Sequence, residues 1–176
     1  FIDDESLEKA VKNVEGLGFK VILSKNIRKH RGFIAGTDQQ RLEDLKWAFT
    51  HKEIKAVWCA RGGYGCSRLL PFIDYKVIRK NPKILIGFSD VTALVNAIYQ
   101  QTGLVTFHGP VAASDFTEFT QKQLMATLVE GKDVVEIHVP LSEDLKVQPL
   151  ELNAKIIKGE LAGGNLSLLA ALAGTE

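Results

Sequence analysis

Apolar and polar positions change period several times along this chain, and the changes mark its elements. Ile84, Leu85 and Ile86 make a short continuous apolar run ended by Gly87, as a strand covered on both faces requires. From Asp90 onward Val91, Leu94, Val95 and Ile98 recur at helical spacing, so a helix follows after only the corner Gly87-Phe88-Ser89-Asp90. Ser89 or Asp90 is placed to cap its first turn.

The same alternation runs through the first 113 residues. Leu7, Ala10, Val11 and Val14 line one face of a helix behind Asp3 and Asp4, which stops at Gly16-Leu17-Gly18 before an apolar run at 19–23 that reads as a strand. Residues 24–36 are polar and basic and suit a loop. Thr37-Asp38 opens a helix striped by Leu42, Leu45, Ala48 and Phe49, and 54–59 is a buried strand. After the glycine-rich loop 60–65 a helix starts near Ser67; 74–81 is a short helix or turn; 104–107 is another strand, with His108-Gly109-Pro110 as its exit.

This order predicts an α/β fold: an open, mostly parallel sheet with helices on both faces, whose ligands lie outside the carboxyl ends of the strands. A strand ordinarily precedes the first helix of such a sheet, so one is expected upstream of Phe1. Gly62, Gly63, Ser89 and His108 all fall on the carboxyl edge. Beyond Ala113 the pattern changes, to a solvent-facing helix at 118–129, a strand at 133–139, a polar connection at 141–151 and a strand at 155–159. Gly163-Gly164-Asn165 then leads into a helix at 166–173 closed by Gly174. The expected division is an α/β domain at 1–113, a helix, strand and connection at 114–150, and the start of an incomplete second domain at 151–176.

Composition narrows the classes. With 176 residues, 45% of them hydrophobic, the chain buries a core without a metal or disulfide staple. A net charge of +1 and no basic run denser than 25–31 (KNIRKHR) leave no footprint for nucleic acid. Cys59 and Cys66 match neither a zinc pattern nor a redox pair and read as reduced thiols of a cytoplasmic protein. No stretch approaches the ~20 apolar residues that cross a bilayer.

A serine at a strand-to-helix corner has its hydroxyl above the sheet edge, beside helix N–H groups that carry partial positive charge. Ser89 there reads as a nucleophile, with the Asp90 N–H and one N–H of the Gly62-Gly63 loop as oxyanion hole; the other reading is a serine that only caps the helix. The G-x-S-x-G elbow pattern is broken at its last position by Val91. Arg61 either clamps a substrate carboxylate or makes an internal salt bridge. The loop lacks the Lys-Ser/Thr of a P-loop and the spacing of G-x-G-x-x-G, so nucleotide binding is the weaker reading. Of His30, His51, His108 and His138 only His108 lies on the correct edge; a triad of Ser89, His108 and Asp115 can be drawn, although Gly109-Pro110 makes His108 more simply a turn or wall residue.

Five stretches in register carry a resemblance: residues 35–42 (AGTDQQRL), 58–65 (WCARGGYG), 87–92 (GFSDVT), 106–110 (TFHGP) and 163–167 (GGNLS). Together they resemble the LD-carboxypeptidase family of serine peptidases, and the likeness runs from about residue 7 to 175. It implies a bacterial cytoplasmic enzyme that needs no metal or cofactor, cutting the amide between an L-centre and a terminal D-amino acid and releasing D-alanine from murein tetrapeptides during wall recycling. A branch of the family instead inactivates a peptide-nucleotide antibiotic.

By this resemblance Ser89 matches the nucleophile and the N–H groups of Asp90 and Gly63 the oxyanion hole, while Arg61, Tyr64 and Asn165 are substrate contacts. It also implies a mostly β second domain, a homodimer, and a triad completed by a glutamate and a histidine beyond residue 176. The 176 residues alone are therefore expected to be inactive. The rival reading is a non-catalytic module that holds a small peptide or anionic ligand in the same crevice.

Overall fold

Val57 and Trp58 are neighbours in sequence yet pack into different cores, because successive strand residues face opposite sides of a sheet. They belong to β1 (Ala56–Trp58), which pairs in parallel with β2 (Ile84–Gly87); β2 pairs in parallel with β3 (Phe107–His108). The computed structural model describes residues 1–131, 134–137 and 158–175, and among them the sheet order is β1-β2-β3. Register runs Ala56 to Ile84, Val57 to Leu85 and Trp58 to Ile86, then Ile86 to Phe107. Leu85 and Ile86 are almost wholly buried, as a strand covered on both faces demands.

Helices cover the two faces. On one side α1 (Asp4–Gly16) sets Ala10 and Val14 against Trp58, Val21 and Ala112. On the other, α2 (Asp38–Thr50), α3 (Tyr75–Lys80) and α4 (Thr92–Thr102) enclose Leu85 with Phe49, Ile78, Leu94 and Ile98. Burying the Phe49 side chain completely contributes about 1.5–3 kcal/mol. The expected α/β architecture, a parallel sheet with helices on both faces, is the one observed.

Side chains cap two helix starts. Asp3 Oδ1 accepts the Ser6 N–H at 2.8 Å. Thr37 and Gln40 form a reciprocal capping box, Gln40 N–H to Thr37 Oγ1 at 3.2 Å and Thr37 N–H to Gln40 Oε1 at 2.9 Å.

Other expectations are corrected. The run 19–23 joins no strand among the described residues: Phe19, Ile22 and Leu23 are exposed, and only Val21 packs inward. Composition supplied a strand's residues but not a partner for its ladder. The helix near Ser67 is a 3₁₀ turn, Ser67–Phe72, because Pro71 lacks the N–H that an α-helical ladder would use. The third strand starts only at Phe107. Before it, Thr102 Oγ1 takes the Leu104 N–H at 3.1 Å and Thr106 Oγ1 donates to Val95 O at 2.9 Å, tying 104–106 back to α4.

The described residues divide into two compact units, one from 1–114 and 162–175, the other from 115–131, 134–137 and 158–161. In the first, α6 (Leu166–Leu172) sets Leu168 and Leu172 against the α4 side of the core. The described residues 162–175 belong to this unit. The second unit contains α5 (Glu118–Leu128), capped by Thr117 Oγ1 on the Thr120 N–H at 3.1 Å, with Leu124 buried. The strands expected at 133–139 and 155–159 and the connection at 141–151 lie wholly or partly outside the described residues.

Candidate active site

The chain leaves β2 at Gly87, extends through Phe88 and turns at Ser89 with φ +62, the single non-glycine positive φ among the described residues. A residue with a Cβ pays about 1–2 kcal/mol in that conformation. A strained residue held in place by its surroundings is what a strand-to-helix elbow looks like. A 3₁₀ turn, Ser89–Val91, then feeds α4.

The capping expectation fails here. Neither Ser89 nor Asp90 makes a side-chain cap: the 3₁₀ turn starts behind Phe88 and α4 behind Val91, both without one. Instead the buried Asp90 carboxyl accepts the Cys66 N–H at 2.9 Å. Ser89 is left half-buried, its hydroxyl not used as a helix cap.

Glycines shape the space around it. A methyl built on Gly87 would lie 2.6 Å from Val91 Cγ1, so the absent Cβ at 87 is what admits a valine at 91. The break in the elbow pattern thus has a steric reason. A methyl on Gly62 would lie 3.0 Å from Ser89 Cβ and 3.1 Å from its Oγ, so the Gly62 backbone passes directly against the serine. Gly63 follows with φ +143, and among the described residues its N–H makes no backbone hydrogen bond. The Asp90 N–H occupies the second position of the 3₁₀ turn, where a helical donor has no intrahelical acceptor.

Ser89, Gly62, Gly63 and Arg61 line one cleft of about 370 Å³, together with Phe88, Ser6 from α1, and Val111, Ala113 and Ser114. Arg61 is exposed and spends one guanidinium N–H on the Phe1 carbonyl at 2.8 Å, leaving donors for an anionic group. Tyr64 and Asn165 do not line this cleft. Tyr64 is 66% exposed and stacks at a tilt on Phe33, 5.9 Å between ring centroids. Asn165 caps α6 through Oδ1 on the Leu168 N–H at 3.3 Å, and its own N–H donates to Thr92 Oγ1 at 3.0 Å.

His108 is exposed and meets Phe88 edge-on at 6.4 Å, while Asp115 belongs to the other compact unit. His30 rests on Phe1 and His51 on Trp47; His138 lies outside the described residues. Burial pushes the Cys59 thiol up to about 12, and burial followed by the Asp90 carboxyl pushes Cys66 up as well, so both are neutral, packed groups. Among the described residues no three metal-ligating side chains converge and no helix is long and apolar enough to cross a membrane. Ser6 and Phe88 were not foreseen as lining residues, since nothing local in their sequence marks a wall assembled from separate elements.

These features define a class: α/β proteins with a serine on a strained turn at the carboxyl edge of a parallel sheet, faced by a glycine loop. Residues 2–109 match the family model described as the LD-carboxypeptidase N-terminal domain, and the chain belongs to that family. It is 42% identical to the probable murein peptide carboxypeptidase of Bacillus subtilis over 98% of this chain and 54% of that one. With the murein tetrapeptide carboxypeptidase of Pseudomonas aeruginosa it shares 37% identity over 99% of this chain and 57% of that one. The chain thus spans about half the length of the curated relatives it matches. Among solved structures, the wild-type apo microcin C7 self-immunity protein MccF superposes with a TM-score of 0.78 at 27% identity, over 96% of this chain and 58% of that one; the same protein is also solved with aspartyl sulfamoyl adenosine.

Proposed function

We propose that this chain carries the nucleophile of a cytoplasmic serine carboxypeptidase that cleaves the amide between an L-centre and a terminal D-amino acid, releasing D-alanine from murein tetrapeptides. The observation that carries this reading is the strained Ser89 with the Gly62 backbone packed against its hydroxyl. Ser89 Oγ attacks the scissile carbonyl, the Asp90 and Gly63 N–H groups receive the oxyanion, and the D-amino acid departs to leave an acyl-enzyme that water hydrolyses. Arg61 binds the substrate's terminal carboxylate; Tyr64 and Asn165 contribute from outside the cleft wall.

Activating Ser89 needs a base. His108, the one histidine on the correct edge among the described residues, faces Phe88, and we assign the base to a histidine, oriented by a glutamate, outside these 176 residues. On this reading the chain alone does not turn over. The likeness to MccF supports a second substrate class, an aminoacyl nucleotide analogue, for the same serine.

The test is hydrolysis of a murein tetrapeptide and of an aminoacyl sulfamoyl nucleoside by the full-length protein and its Ser89→Ala variant. The variant is expected to lose about 10⁴–10⁶ in kcat. Undiminished activity in Ser89→Ala rules out the nucleophile assignment, and binding of either compound without turnover by the wild type supports the non-catalytic module instead.

A further inference from the structure

Gly65 and Cys66 share one peptide unit, and both of its polar ends are held by side chains. The Gly65 carbonyl accepts a hydrogen bond from Arg41 Nη1 at 3.1 Å, and the Cys66 N–H donates to Asp90 Oδ2 at 2.9 Å. The two side chains come from separate elements: Arg41 from α2, Asp90 from the position directly after Ser89. Asp90 is 6% exposed and the Arg41 side chain 14%, so bulk water competes weakly for either bond. The Arg41 fork is itself fixed, with Nη1 3.8 Å from Asp38 Oδ1 and Nη2 3.7 Å from Cys66 Sγ.

Only glycine suits position 65. Its φ is +95, and a methyl there would come within 3.1 Å of the Arg41 Nη1 that grips its carbonyl. The grip closes one end of the loop whose other end, Gly62, lies against Ser89.

We propose that Asp90 and Arg41 are positioning residues that clamp the 65–66 peptide and so hold the Gly62-Gly63 backbone in register with the Ser89 corner. The proposal rests on the reading of Ser89 as nucleophile. Asp90 then acts twice: its N–H is one oxyanion donor, and its carboxyl secures the loop that supplies the other. Two donors aimed at one developing charge must keep their spacing, and a misplacement of about 1 Å costs about 10²-fold in rate.

The experiment uses the full-length protein with Asp90→Ala, Asp90→Asn, Arg41→Met and Ser89→Ala, read by kcat and KM on a murein tetrapeptide and by amide hydrogen exchange. Asp90→Ala is expected to lose about 10²-fold in kcat, with KM within about threefold of wild type. Exchange of the Cys66 amide speeds at least about tenfold in Arg41→Met, which leaves the Asp90 acceptor in place, while the Phe49 and Leu85 amides stay protected. Asp90→Asn keeps an acceptor oxygen and recovers kcat to within about tenfold of wild type.

Wild-type kcat in Asp90→Ala, unchanged exchange of the Cys66 amide in Arg41→Met, or no recovery in Asp90→Asn overturns the clamp. If Asp90→Ala does not fold, Arg41→Met decides: faster exchange of the Cys66 amide upholds the clamp and wild-type exchange refutes it. Activity in Ser89→Ala refutes the nucleophile reading separately, because loop exchange still reports on the clamp.

Discussion

Replacing Gly87 by alanine probes how the serine corner is built. The new Cβ would sit 2.6 Å from Val91 Cγ1, 3.1 Å from Val91 Cβ and 3.1 Å from Cys59 Cβ. Carbon atoms at rest are about 3.5–4.0 Å apart, so the first contact overlaps by about 1 Å. Val91 is 3% exposed and branched at Cβ, which leaves it no free rotamer to retreat into. Overpacking of this kind costs about 1–3 kcal/mol. Val91→Ala alone loses two buried methyl groups, about 1.5 kcal/mol or somewhat more with the cavity. In Gly87→Ala/Val91→Ala the worst clash has gone, so the double variant should be less destabilised than the sum of the singles by about 1 kcal/mol or more.

Urea denaturation of wild type, both singles and the double variant measures that coupling. Additivity within about 0.3–0.5 kcal/mol would refute the claim that Gly87 makes room for Val91. Because Ser89 is two residues away, the activity proposed for the full-length protein should fall in Gly87→Ala and partly return in the double variant.

The cysteines give a pH prediction. Cys59 is pushed from an ordinary 9.0 up to about 12 by burial, so the folded protein keeps its proton where the unfolded chain would release it. The stabilisation this represents is complete below pH 9 and is lost as pH rises toward 12; denaturation midpoints measured across that window should decline, and a Cys59→Ser variant should show less of the decline. At pH 8 neither Cys59 nor Cys66 should react with iodoacetamide until the protein unfolds, which mass spectrometry of the alkylated protein checks. Thr37→Ala removes one half of a capping box away from the cleft and should cost about 1 kcal/mol in urea denaturation without changing the KM of the activity proposed for the full-length protein.

Legibility from sequence followed the range of the forces involved. The helices at 38–50 and 92–102, the strand at 84–87 and the helix start at Thr37 depend on neighbours within about four residues, and local spacing exposes such neighbours. The apolar run 19–23 was misread because pairing is a property of two segments and only one is visible in a local window. Positions 104–106 failed for a related reason: threonine hydroxyls reaching back to α4 compete with the ladder, and nothing in the spacing announces them.

At the serine corner the sequence by itself determined the parts: an apolar strand, a glycine before the turn, a serine, and a helix behind it. Tertiary structure decided what those parts do. Ser89 adopts φ +62 because β2 and α4 are each anchored in the core and the joint between them must absorb the mismatch. Asp90 leaves the helix start uncapped because an amide 24 residues earlier offers a buried partner. Gly62 becomes a wall of the serine site only when parallel pairing of β1 and β2 brings two strand ends to one edge. Side-chain chemistry is written residue by residue, whereas strain, burial and the meeting of distant loops exist only once the whole chain has packed.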